Sequence, residues 1–221
     1  MSSTSTYPAI PLWTLSSAVF VYDMQELGKK DETQPDVYIS KYRELKSVFS
    51  DYTHIYTDGS KDGAAVAAAA VSQSMNRSCR LPDNSSILSA EAYAILLAVD
   101  IIKLAAAKKC AIFCDSLSCL QAIQNKRLDN PIIRNILNSV HKLIISGTYI
   151  VFIWLPSHVG IQGNTDADTA AKDALSLPVS GRKVPHTDFK PLIQSYALNK
   201  WQQLWDLEAG PALASARPYA R

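Results

Sequence analysis

Two stretches of this chain, Ala111-Ile-Phe-Cys114 and Tyr149-Ile-Val-Phe-Ile-Trp-Leu155, are short, unbroken apolar runs, the first ended by Asp115 and the second by Pro156. Runs of this length without polar alternation read as strands covered on both faces, and such strands belong to parallel sheets flanked by helices. That constraint requires helices between and around the strands, and the chain supplies them. Ile87 to Ala107 places Leu88, Ala92, Ile95, Val99 and Ile102 on one stripe. Ser116 to Gln124 reads as a helix capped by the side chain of Asp115 or Ser116. Pro131 opens another helix through Ile145, with Ile132, Ile136, Val140 and Leu143 on one face, and a last one runs from about Thr165 to Leu175.

Upstream, Thr53 to Lys61 alternates β-branched and aromatic residues as a strand does, with Asp58 near its end and Gly59 turning the chain. Asp-Gly between apolar runs is equally the mark of a hairpin turn. After Lys61-Asp62-Gly63, the segments Ala64 to Val71 and Ser72 to Arg80 read as two further antiparallel strands, although alanine by propensity favours a helix there. The order of elements predicts an α/β fold: a mixed five-stranded sheet, three antiparallel strands then two parallel, flanked by helices.

Residues 1–50 differ in composition and read as a lead-in or linker with one short helix over Val37 to Phe49; residues 51–180 form the domain. Residues 181–221 carry an amphipathic helix with Leu192, Ile193, Tyr196, Trp201, Leu204 and Trp205, then a tail from Pro211 that reads as disordered. A net charge of +2 permits an anionic partner without demanding one. Cys79, Cys110, Cys114 and Cys119 have no spacing for zinc and read as free thiols of a reducing, intracellular compartment, cytoplasm or nucleus. The apolar stretch Leu12 to Tyr22 is too short to cross a membrane, which takes roughly 20 residues.

The candidate chemistry lies in acids. Asp58 and Asp115 end strands, and in open α/β sheets sites form at the carboxyl ends of strands. Glu91 lies on the margin of an apolar helix stripe, while Asp166 and Asp168 follow the polar loop Ser157 to Asn164, which carries His158. Each alone has an ordinary reading: a turn aspartate, an N-cap, first-turn acids favoured by a helix dipole, a surface histidine. Neighbouring strands would stand Asp58 and Asp115 side by side.

Tyr56-Thr-Asp-Gly-Ser60, Ser89-Ala-Glu-Ala92, Cys114-Asp-Ser116 and His158-Val-Gly through Asn164-Thr-Asp-Ala-Asp168 together resemble the type 1 ribonuclease H family. The resemblance is closest to the ribonuclease H domain of non-LTR (LINE-like, jockey-type) retrotransposon polyproteins. It implies an endonuclease that hydrolyses the RNA strand of RNA–DNA hybrids, with magnesium, or manganese, held by Asp58, Glu91, Asp115 and Asp168. By that likeness Asp58 bridges two ions, Glu91 and Asp115 share one, and Asp168 holds the other. His158 matches a mobile-loop histidine that assists proton transfer or product release, and Asn164 a loop asparagine. Gly59, Ser60 and Ser116 would meet the RNA 2′-hydroxyl. Lys61, Arg77, Arg80 and Lys126 are candidate phosphate contacts.

The sequence departs from the family twice. Thr165 stands where the family has glutamate, leaving Asp166 as the rival of Asp168 for the fourth position. Gln124 to Asn130 is too short for the basic helix with which some members grip the hybrid. The flanks resemble the connection after a reverse transcriptase and the segment following the ribonuclease H domain, which makes a reverse transcriptase segment an implied partner. Two other readings compete: a truncated or domesticated retroelement fragment that binds nucleic acid without cleaving it, and a transposase or integrase on a similar fold.

Overall fold

The computed structural model describes residues 14–28 and 30–208, Leu207 and Glu208 by backbone alone. The chain divides into two compact units, residues 1–185 and 186–221. In the first, β2 (Thr53–Asp62), β3 (Ala65–Ser72) and β4 (Asn76–Leu81) run antiparallel in succession. β5 (Lys109–Cys114) lies parallel to β2, and β6 (Tyr149–Trp154) parallel to β5.

A sixth strand corrects the five-stranded expectation. β1 (Val19–Val21) pairs in parallel along the outer edge of β6, giving the order β1-β6-β5-β2-β3-β4. Three residues show no period in sequence; the open edge of β6 makes them a strand. Phe20 stacks on Phe152 with ring centroids 5.1 Å apart.

The alanine run is a strand, not a helix. β3 pairs with strands on both sides, and Ala67 through Ala70 are fully buried. Here tertiary context overrides propensity. Small side chains leave room for helices packed against this strand.

Side chains alternate between two cores. Under α2 (Ile87–Ala105), α3 (Leu117–Gln124) and α4 (Pro131–Ile145) lie Ile95, Val99, Ile102, Ile112, Leu120 and Ile136. The opposite face is covered by α1 (Pro35–Val48) and α5 (Gln162–Asp173), with Tyr38, Leu45, Tyr56, Phe113 and Ile153 in its core. The Ser86 side chain caps α2 by accepting the Ser89 N–H, and Asn130 caps α4 in the same way. At α3 the expected cap is missing: neither Asp115 nor Ser116 makes a capping side-chain bond among the described residues, and the Asp115 carboxylate turns to Asn164 instead.

The second unit contains α6 (His186–Glu208), where Leu192, Ile193, Tyr196, Trp201 and Leu204 are exposed. The tail from Pro211 lies outside the described residues, as do residues 1–13. No helix of the described residues is long and apolar enough to cross a membrane, and all four cysteines are free.

Candidate active site

The site is built where the parallel pairing of β2 with β5 stops. This corrects the expected turn at Gly59, because β2 runs on to Asp62 with Asp58 in mid-strand and Gly59 paired opposite Ala68 of β3. Thr57 is level with Cys114 across the parallel pair, so the next residues, Asp58 and Asp115, share one end of the sheet. Glu91 reaches them from α2, and Gly59 is the reason the helix comes so near. A Cβ on Gly59 would lie 2.6 Å from the Glu91 backbone nitrogen and 2.8 Å from Ala90 Cβ. Any side chain there would lever α2, and Glu91 with it, away from the strand. The Gly59 amide also hydrogen-bonds to the carboxylates of both Asp58 and Glu91.

Asp58, Glu91 and Asp115 each present an oxygen within 4.8 Å of the others. Burial and mutual repulsion disfavour their charged forms. Burial first, then the charges of Asp115 and Asp168, push the Asp58 carboxyl up to about 8. Burial and the charges of Asp115 and Asp58 push Glu91 up to about 9. Asp115 is also raised by burial, with Asn164 and His158 acting in the other direction.

Asp168 arrives from α5. It lies outside the group formed by Asp58, Glu91 and Asp115, but its charge is near enough to raise the Asp58 carboxyl, and it accepts from Lys172 Nζ at 2.7 Å. Its rival Asp166 accepts from Gln162 Nε2 at 2.7 Å and lines a separate groove with Tyr52, His54 and Tyr56. Two residues on a helix turn through about 200°, so only one of this pair can face Asp58.

His158 lines a recess with Asn164, Thr165 and Asp168. Its φ of 55° is left-handed, a conformation uncommon outside glycine. Buried Val159 and Ile161 on either side of Gly160 pin this loop to the aromatic core. Asn164 is buried and donates from Nδ2 to Asp115 Oδ2 at 3.3 Å. Ser60 pairs opposite Ala67 in the sheet, and the Ser116 hydroxyl lies 3.3 Å from that of Ser118. Of the four candidate phosphate contacts, three are engaged by the protein: Lys61 with the Ser85 carbonyl, Arg80 with Asp83 and the Leu175 carbonyl, and Lys126 with the Leu15 carbonyl.

Two residues at the site were not singled out from sequence. Trp154 donates from Nε1 to the Asp115 carbonyl at 3.1 Å, steadying the chain where β5 ends. Lys172 follows Asp168 at the i,i+4 spacing that pairs charges on a helix, and that spacing was the readable signal.

The donor set suits a hard divalent cation. It consists of carboxylate oxygens without sulfur ligands, the preference of magnesium and manganese rather than zinc. Glu91 Oε2 and Asn164 Oδ1 are buried and have no hydrogen-bond partner among the described residues. A buried acceptor left in that state is costly, and a cation would relieve it at Glu91.

A family model for RNase H matches residues 50–176. Among curated proteins no relative matches. The chain is similar to solved structures, among them the crystal structure of RNase H1 from the halophilic archaeon Halobacterium salinarum NRC-1. That likeness has 20% identity and a TM-score of 0.44, over 56% of this chain and 97% of that chain. The matched family stretch takes in more than half of the sequence, together with Asp58, Glu91, Asp115 and Asp168: the chain belongs to the RNase H family and is a ribonuclease H enzyme.

Proposed function

We propose that this enzyme is an endonuclease that hydrolyses the RNA strand of RNA–DNA hybrids with the help of two divalent cations, magnesium or manganese. The observation that carries the reading is the convergence of Asp58, Glu91 and Asp115, from three separate elements, with Glu91 Oε2 buried and unpartnered among the described residues. Asp58, Glu91 and Asp115 would hold the cations, with Asp168 as the further carboxylate on the side of α5. When bound, such ions make water nucleophilic near neutral pH and neutralise charge on the phosphorus. Asn164 orients Asp115, and Lys172 keeps the Asp168 charge compensated until a cation competes for it. His158, at the rim beside Asp168, moves the proton to or from the reacting oxygens. Gly59, Ser60 and Ser116 are the groups that would meet the 2′-hydroxyl, the feature separating RNA from DNA.

The domain is assigned to residues 51–180 of a non-LTR retrotransposon polyprotein, on the motifs quoted above, with a reverse transcriptase segment as its partner. The competing reading, a fragment that binds hybrid without cleaving it, draws on Thr165 standing where the family has glutamate.

A labelled hybrid incubated with magnesium tests the proposal, wild type beside Asp58→Asn. Wild type is expected to cut the RNA strand, and the variant to be slower by more than ~100-fold, since loss of outer-shell partners alone costs 10–100-fold. Equal cleavage by both would overturn the role of Asp58. Binding by wild type without cleavage would favour the fragment.

A further inference from the structure

We propose that the lead-in residues Asp23 to Gly28, with Lys30 and Asp31, outside the family match, form one wall of the substrate channel, with Lys30 and Gln25 holding a sugar–phosphate of the hybrid next to Asp115. The inference rests on the hybrid-cleaving reading above.

An open cleft of about 420 Å³ adjoins the acid cluster, with Gln25, Gly28 and Lys30 on one side and Asp115, Trp154 and Pro156 on the other. That volume lies in the range of small-molecule sites and gives room for a nucleotide. Asp115 belongs both to this cleft and to the acid cluster, so a strand seated at the cluster continues into the cleft.

The lead-in is a built wall. β1 anchors it to β6 upstream, and the Met24 side chain is fully buried in the aromatic core. Thr33 Oγ1 donates to the Leu27 carbonyl at 2.8 Å, and the Tyr38 hydroxyl donates to the Gly28 carbonyl at 3.0 Å. Gly28 has a φ of 98°, and a Cβ there would crowd Thr33 Oγ1 at 3.2 Å, so glycine suits this bend. Further along, Gly160 of the His158 loop faces Ile39 of α1, 3.5 Å from where its Cβ would stand. The lead-in segment and α1 therefore brace two sides of the site between them.

Its polar groups are available. Gln25 and Lys30 are exposed, and Lys30 has no ion-pair partner among the described residues. This contrasts with Lys61, Arg80 and Lys126, which the protein itself engages. A grip from this side also supplies what the short turn between α3 and α4 cannot. Asp31 lines the same cleft and opposes an anionic ligand.

The test measures binding of a fluorescein-labelled RNA–DNA hybrid in the Asp58→Asn background over a range of salt. Lys30→Ala is expected to weaken binding by about 5-fold and to lower the salt slope by about 1, the signature of one lost phosphate contact. Gln25→Ala should weaken it less, and Asp31→Asn should strengthen it. In the otherwise wild-type enzyme, Lys30→Ala should raise KM with kcat retained. Lys142→Ala, an exposed cation on α4, is the control. The inference is overturned when wild type cleaves hybrid but Lys30→Ala matches the control in affinity and slope. It falls together with the functional reading when Asp58→Asn binds no hybrid and wild type cuts none. Binding without cleavage sinks only that reading, because the Lys30 effect is still read.

Discussion

The two faces of the sheet are closed by different materials. Under α2, α3 and α4 the contacts are mainly aliphatic, Ile95, Val99, Ile102, Ile112, Leu120 and Ile136, with Phe152 and the Phe20 ring stacked on it as the aromatic exception, and these helices follow β4 with only one strand between them. On the other face the core is aromatic and polar-tipped. Tyr56 stacks on Phe113 at 4.9 Å, Tyr42 meets the same ring edge-on at 5.9 Å, and the Tyr42 and Tyr56 hydroxyls stand 2.5 Å apart. Its helices come from opposite ends of the domain, α1 before the first hairpin and α5 after the last strand. The acid cluster straddles the division: Glu91 rides on the aliphatic side, Asp168 on the aromatic side. One wall of the site thus rests on non-directional burial, and the other on ring contacts and hydrogen bonds with fixed geometry.

The largest effect that tests this contrast is cavity formation on the aliphatic side. Ile95→Ala, at a fully buried position, should cost ~2–5 kcal/mol in urea unfolding. A cost no greater than that of the tyrosine variant below would break the contrast.

Next comes the pH response of the straddling cluster. Asp58 and Glu91 titrate in the folded protein at about 8 and about 9, far above the ordinary unfolded values near ~4. A raised folded value means that stability is fully present below the unfolded value and is lost as pH rises toward the folded one. In EDTA, the melting temperature should therefore fall between about pH 4 and pH 9, by on the order of 5 °C, and magnesium should recover more of it at pH 8 than at pH 5. Asp58→Asn should flatten the EDTA profile. A metal-free melting temperature that rises across this range would show that the cluster does not repel.

The smallest effect belongs to the aromatic side. Tyr42→Phe removes one hydroxyl from the Tyr42–Tyr56 pair and should cost ~1 kcal/mol by the same unfolding measurement. A cost near zero would assign the fixed geometry of that face to ring packing alone.

Legibility in sequence followed the same division. The stripe of α2 and the apolar run of β5 were readable because burial on the aliphatic face imposes a period or its absence. The lead-in was read as a linker with one helix, and α1 forms there; β1 and the turn around Met24 were invisible, since three strand residues and one buried methionine leave no pattern. Gly163 shows the limit again. It opens α5 without any turn signal, yet a Cβ there would overlap the ring of Tyr56, so only glycine lets the helix lie against that tyrosine.

By itself the sequence determined the order of elements from β2 to α5 and the placing of Asp115 at the end of β5, because those follow from local periodicity and chain punctuation. Tertiary structure alone decided between strand and helix for the alanine run, where turn signals and propensity disagree, set Asp168 rather than Asp166 beside Asp58, and joined the lead-in to the sheet at the border of the acid cluster. Those outcomes depend on which surfaces meet, and an alanine, a helical aspartate or a three-residue strand carries no local energy large enough to choose among them.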